Sequence, residues 1–132
     1  MVSRNILTLV GHCLCGACRF ELIGDHNWVG HCHCESCRRA TSSPMTTWIG
    51  HENGRWKFTG VEPVRYESSS GNTRGFCGSC GSPIYYRSDI FPKETHFYAT
   101  LLSDPNVLEP ECHYYTKERL SWLHFSDGLP ER

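Results

Sequence analysis

The stretch Cys77-Gly78-Ser79-Cys80-Gly81 has the pattern of a zinc knuckle, in which small residues let backbone amides point at two sulfur atoms. Two thiolates leave a tetrahedral zinc ion short of two ligands, so the rest of the site must come from elsewhere in the chain. The protein has 132 residues and nine cysteines. Seven of the nine fall in three tight clusters, namely the knuckle, Cys13-Leu14-Cys15 and Cys32-His33-Cys34-Glu35-Ser36-Cys37. This spacing predicts a metal-binding protein.

A partial internal repeat leaves two divisions of these cysteines open. Two segments share one cysteine spacing, which allows two three-cysteine sites. The segments are Gly11-His12-Cys13-Leu14-Cys15-Gly16-Ala17-Cys18 and Gly30-His31-Cys32-His33-Cys34-Glu35-Ser36-Cys37. Alternatively, the first Cys-X-Cys pair joins the knuckle in a closed site, and the second motif forms a three-thiolate site. We favour the second division because the knuckle needs two further thiolates. The predicted structural ligands are Cys13, Cys15, Cys77 and Cys80, and the predicted functional ligands are Cys32, Cys34 and Cys37.

The three-thiolate site has a free coordination position unless a histidine fills it. Zinc with three protein ligands accepts a water, a thiol or a carbonyl oxygen. A fourth ligand from His12, His31 or His33 would close the site instead. Three thiolates also leave zinc with a net negative charge, so a nearby cation would help to hold an anionic ligand. Arg38 and Arg39 are the candidates for that cation, and His33 is the candidate for a catalytic proton carrier. The simpler alternative is that the two arginines are solvated surface charges and that the His33 ring only packs.

The remaining two cysteines are predicted to pack in the core. Cys18 begins an alternating run and shares its face with Phe20 and Leu22, and Cys112 has no partner at metal-ligand spacing. Free cysteine is among the most buried residue types, so packing is the simpler interpretation for both.

Length and charge indicate one domain without a nucleic-acid partner. We expect a single domain over residues 1–132, with its core at about 9–130, because this length matches the commonest domain size. The formal net charge of −1 offers no basic surface to a phosphate backbone. The apolar run in the first ten residues is too short for a signal peptide or a membrane span. We therefore expect no membrane contact and a cytoplasmic location, where thiols stay reduced and clustered cysteines bind metal.

Short alternating and β-branched runs predict an all-β domain. No segment sustains helical apolar spacing for three turns, and the most helix-like piece, 116–123, is brief. We expect roughly eight to ten short strands held together by zinc. The clearest strand candidates are 18–22, 45–50, 55–59, 83–87, 95–101 and 111–116.

Four motifs together resemble a known family. They are Gly11-His-Cys-Leu-Cys-Gly16, His31-Cys-His-Cys-Glu-Ser-Cys-Arg-Arg39, Gly75-Phe-Cys-Gly-Ser-Cys-Gly81, and Trp122 with Asp127-Gly128-Leu129-Pro130. In order and spacing they resemble the glutathione-dependent formaldehyde-activating enzyme family, also called the GFA or CENP-V/GFA domain. The resemblance implies an Mss4-like (β-tent) fold with a structural and a functional zinc on the two cysteine sets given above.

The resemblance also implies an activity, the condensation of formaldehyde with glutathione to S-(hydroxymethyl)glutathione, which is carbon-sulfur lyase chemistry in reverse. We expect a zinc-dependent protein that acts on an adduct of a thiol and a small aldehyde, with two Zn²⁺ per chain and the second less completely retained. The alternative is a non-catalytic carrier that captures glutathione or a related thiol. Two further alternatives are an interaction module, which is expected to carry basic or extended flanks, and a redox role for Cys77 and Cys80, which needs a metal-free pair.

Overall fold

A computed structural model describes residues 7–132, which form two β-sheets. The described residues contain ten strands, within the predicted range, and the all-β class is confirmed. The strands are β1 (Thr8–His12), β2 (Arg19–Ile23), β3 (Trp28–Cys32), β4 (Thr46–Glu52), β5 (Trp56–Phe58), β6 (Val64–Ser69), β7 (Asn72–Phe76), β8 (Pro83–Ser88), β9 (Glu94–Tyr98) and β10 (His113–Tyr114). One α-helix, α1 (Glu35–Thr41), and 3-10 helices at Ala99–Leu101, Pro105–Val107 and Thr116–Glu118 complete the elements.

The larger sheet has seven strands in the order β10-β3-β4-β9-β8-β7-β6, and the smaller sheet has three in the order β1-β2-β5. Neighbouring strands are antiparallel except β10, which runs parallel to β3. One row of directly opposed residues crosses four strands of the larger sheet: Val29, Ile49, Phe97 and Tyr85. All four side chains are buried, so this row fixes the register against slips that would turn apolar groups to water.

The core lies between the two sheets. Phe20 and Leu22 of β2 are buried, and the Phe20 ring stacks on Phe97 with its centroid 4.8 Å away. Cys18 belongs to the same core, and burial raises the pKa of its thiol to about 12. Cys112 is also buried. Both cysteines therefore lie where the packing interpretation expects them.

Several predicted boundaries were wrong. The strand expected over 95–101 ends at Tyr98 and continues as a 3-10 turn, and the strand expected over 111–116 is reduced to its two central residues. Only Thr116–Glu118 of the predicted helical piece 116–123 is helical, while α1 was not predicted. That helix has seven residues, too few to show an apolar period. Within residues 7–132, no helix is long and apolar enough to cross a membrane.

Candidate metal centres

Four thiols from two loops meet where the sheets join. Cys13 and Cys15 follow β1 of the smaller sheet, and Cys77 and Cys80 follow β7 of the larger one. Their sulfur atoms all lie within 4.8 Å of one another, with 3.6 Å between Cys13 and Cys15 and 3.8 Å between Cys15 and Cys77. Tetrahedral zinc with bonds of about 2.3 Å separates its sulfur ligands by roughly 3.8 Å. The four residues therefore fit one zinc ion enclosed by sulfur.

Hydrogen bonds in the knuckle favour the thiolates that zinc needs. Backbone N–H groups of Cys80 and Ser79 donate to Cys77 Sγ at 3.4 Å each, and they lower the pKa of Cys77. Hydrogen bonds from Ser82 lower the pKa of Cys80 to about 5. Gly81 closes the turn in the left-handed region, with φ of 80°, and donates its N–H to the Cys77 carbonyl. A side chain at this position would strain the turn.

The second cluster has three thiols. Cys32 is the last residue of β3, Cys34 caps the N-terminus of α1, and Cys37 lies in the first turn. The backbone N–H of Cys37 donates to Cys34 Sγ at 3.3 Å, and the sulfur atoms of Cys32 and Cys37 are 4.0 Å apart. Within residues 7–132, no fourth cysteine, histidine or carboxylate joins this group. The spacing fits zinc again, with one coordination position left free.

A buried arginine lies against Cys37 of this cluster. Arg74 of β7 is 5% exposed, its Nη2 is 3.8 Å from Cys37 Sγ, and its guanidinium lies over the Tyr86 ring, 4.9 Å from the centroid. Hydrogen bonds with Cys32 and Cys34, together with the charge of Arg74, lower the pKa of Cys37. Arg74 is therefore the cation that stabilises negative charge in this cluster.

The three thiols line a cavity of about 860 Å³. Its mostly aromatic wall comes from the larger sheet and the β8–β9 turn: Trp28, Trp48, Tyr86, Phe91, His96 and Tyr114. The C-terminal segment, defined here as residues 115–118 with 131–132, also lines the cavity. Tyr115 in this segment has φ of 57°, a strained conformation for a bulky residue. The three-cysteine cluster therefore opens onto a space large enough for an organic ligand.

The two arginines singled out by the sequence lie outside this cavity. Arg38 donates to the backbone carbonyls of His33 and Glu118, and so ties α1 to the C-terminal segment. Arg39 pairs with Glu35 at 2.9 Å, and its side chain is 79% exposed. The structure thus gives Arg38 a structural contact and leaves Arg39 on the solvent side of the helix.

The histidines near the clusters also point to other partners. His33 is fully buried, and its Nε2 lies 2.8 Å from His113 Nδ1. His113 Nε2 in turn lies 2.8 Å from the Asp127 carboxylate, so the ring is held from both sides. His31 Nδ1 contacts Thr47 Oγ1 at 2.8 Å, and His12 Nδ1 contacts a backbone carbonyl at 2.7 Å. None of His12, His31 and His33 joins either cysteine cluster.

Comparisons with known proteins bear on the fold and the family of the chain. Among solved structures, a Rhodobacter sphaeroides protein solved as a structural-genomics target superposes with a TM-score of 0.62 at 19% identity, covering 76% of this chain and 96% of that one. At this identity the likeness shows the fold alone, and the predicted all-β, Mss4-like fold is confirmed. A search of curated proteins found no significant match. The family model described as glutathione-dependent formaldehyde-activating enzyme matches residues 8–118. The chain therefore belongs to the GFA family.

Proposed function

We propose that this protein is a zinc-dependent carbon-sulfur lyase-type enzyme that acts on an adduct of a thiol and a small aldehyde, similar to S-(hydroxymethyl)glutathione. The carrying observation is the group of three thiols, Cys32, Cys34 and Cys37, that faces a cavity without a fourth ligand from the described residues. Zinc sites with three protein ligands are typical of catalysis, and sites with four are typical of structure. Membership of the GFA family supports the same chemistry.

In this proposal the two clusters have different roles. Cys13, Cys15, Cys77 and Cys80 hold a structural zinc between the sheets, and Cys32, Cys34 and Cys37 hold a functional one. Bound zinc would supply a site for the substrate thiol as thiolate and polarisation of the aldehyde oxygen. The need for reduced ligand thiols fits the cytoplasmic location expected from the sequence.

The chain's own groups position and stabilise the reactants. Arg74 places a positive charge beside Cys37, which offsets the negative charge that three thiolates bring to the site. The cavity would bring the sulfur and carbon of the two reactants close together. In the synthetic direction one carbon-sulfur bond forms, and the thiol proton ends on the former carbonyl oxygen. Cleavage reverses both changes, so no oxidant or reductant is required.

Exchange NMR tests the proposal. Free formaldehyde, a thiol and their adduct interconvert spontaneously, and the zinc-loaded protein should speed this exchange while Cys34→Ser should not. Cys112→Ala is the matched control, because it removes a thiol that lies outside both clusters. Thiol binding without faster exchange would contradict the lyase proposal and identify a thiol carrier instead.

A further inference from the structure

The wall of the cavity is an array of aromatic rings around one histidine. His96 of β9 is 7% exposed and lies at its centre. The ring centroids around it are at 4.8 Å for Trp28, 5.4 Å for Phe91, 5.7 Å for Tyr86 and 6.2 Å for Trp48. Burial lowers the pKa of His96 to about 4, so the ring is neutral near pH 7 and adds no charge to the wall.

This wall is held in place before any ligand binds. Trp28 Nε1 donates to the Glu94 carboxylate at 2.8 Å, and the Trp28 ring packs edge-on against Tyr114 at 5.5 Å between centroids. Gly50 lies beneath the hydrogen bond, and a Cβ there would collide with both Trp28 and Glu94. A preorganised apolar surface of this kind binds aromatic groups with little loss of side-chain entropy.

The aromatic half of the cavity carries two charged groups, the Glu94 carboxylate and Arg74, and both already have partners. Glu94 accepts the Trp28 hydrogen bond and lies 3.5 Å from His96 Nε2. Arg74 is already engaged by Cys37, by Ser36 Oγ at 3.1 Å and by the Tyr86 ring. The other cations that line the cavity, Lys117 and Arg132, belong to the C-terminal segment, where Glu118 and Glu131 accompany them. A tripeptide thiol such as glutathione carries carboxylates and an ammonium group, and burying these against the aromatic wall without partners is unfavourable.

We infer that the adduct handled at the three-cysteine cluster carries an aromatic or extended apolar group, which lies on the wall of Trp28, Trp48, Tyr86 and Phe91. This inference rests on the proposed function and names the substrate class of the same site. The sulfur end of such a ligand reaches the free coordination position, and its ring replaces water on the aromatic wall. Glutathione would instead present its polar arms to the aromatic wall.

Thiol binding to the zinc-loaded protein tests this inference without any measurement of turnover. The probes are benzyl mercaptan, 2-mercaptoethanol and glutathione, titrated calorimetrically against the wild type and two variants. Phe91→Ala truncates one ring of the wall at a position that is 40% exposed, so the fold should tolerate it. Val61→Ala is the matched control, an exposed apolar truncation away from the cavity.

We expect benzyl mercaptan to bind at least about tenfold more tightly than either other thiol, as burial of a phenyl group predicts. Phe91→Ala should reduce this ratio several-fold, and Val61→Ala should leave it unchanged. Equal affinities, tighter binding of glutathione, or a ratio unaffected by Phe91→Ala would overturn the inference while leaving the proposed function in place. Failure of all three thiols to bind would overturn the proposed function as well.

Discussion

The two cysteine clusters start from the same Cys-X-Cys spacing and end in different surroundings. After Cys15 the chain turns back directly into β2, and the thiols of Cys77 and Cys80 arrive from the other sheet to complete a group of four. After Cys34 the chain enters α1, which supplies the third thiol and directs the group towards a cavity. The same spacing therefore does not fix the number of thiols, because the first cluster takes two more from a distant loop and the second takes its third from the helix that follows.

The two clusters also differ in the polar groups that surround their sulfur atoms. Backbone amides and Ser82 surround the knuckle sulfurs, so the four-cysteine cluster is stabilised by fixed dipoles in its own loop. The three-cysteine cluster has a backbone hydrogen bond from Cys37 N–H to Cys34 Sγ and, in addition, Arg74, a full charge brought from a distant strand. Fixed dipoles suit a permanent metal site, and a buried cation suits a site where an anionic ligand comes and goes.

The largest expected difference between the clusters is in stability. Cys77→Ser removes a ligand from the site that joins the two sheets, and we expect it to cost about 3 kcal/mol or more of unfolding free energy. Urea unfolding of zinc-loaded protein measures this, with Cys112→Ala as the control for loss of a thiol. If Cys77→Ser matched the control, the four-cysteine cluster would not be a structural metal site.

A smaller effect is expected from Arg74, the cation beside the three-cysteine cluster. Arg74→Met keeps much of the side-chain volume and removes the charge beside Cys37. We expect thiol affinity to fall about tenfold, equivalent to about 1.4 kcal/mol, because the anionic ligand loses its counter-charge. Arg39→Met is the matched control, since that side chain pairs with Glu35 on the exposed side of α1. If both variants lost the same amount of thiol affinity, Arg74 would have no specific role in thiol binding.

The smallest predicted effect concerns the pH dependence of folding stability. It separates the contribution of a buried core histidine from that of the cysteine clusters. His51 of β4 is buried, with Nε2 2.9 Å from the Ile23 carbonyl, and burial lowers its pKa. Below about pH 6.5 the unfolded chain takes up a proton that the folded chain does not, so folding stability falls as pH falls.

We expect His51→Gln to flatten this dependence below about pH 6.5, by about 1.4 kcal/mol for each unit by which the pKa is lowered. Urea titrations at several pH values measure the slope. His124→Gln, at an exposed histidine, should leave the slope unchanged. A wild-type slope in His51→Gln would contradict this prediction and leave the acid sensitivity to the cysteine clusters and the other buried histidines whose pKa is lowered, His33 and His96.

The cysteine clusters could be predicted because ligand spacing is a local property of the chain. The preferred division of the seven cysteines agrees with the sulfur positions, in which Cys18 neighbours the four-cysteine group but is not one of its members. Local alternation also predicted β2 and β5, and threonine, aromatic or β-branched content predicted β4 and β8, each to within two residues at each end. The motifs of the family supplied the fold name, which alternation alone does not contain.

The cavity could not be predicted, because strand pairing builds it from distant segments. Arg74 comes next to Cys37 only through the position of β7 in a seven-stranded sheet, and the sequence around Arg74 carries no signal for this. Arg38 and Arg39 are adjacent to Cys37 in sequence, yet helical geometry turns them away from the cavity. The parallel pairing of β10 with β3 brings Tyr114 to the aromatic wall. This pairing could not be predicted either, because a two-residue strand is too short to show a sequence pattern.

The central claim is that one cluster is closed and structural while the other has a free position. Zinc stoichiometry and thiol titration on Cys34→Ser, beside the wild type, test it most directly. We predict about two zinc ions per chain in the wild type, and in Cys34→Ser the loss of one ion and of thiol binding with the fold retained. A Cys34→Ser protein that unfolds, or that keeps both ions and still binds thiol, would contradict the claim.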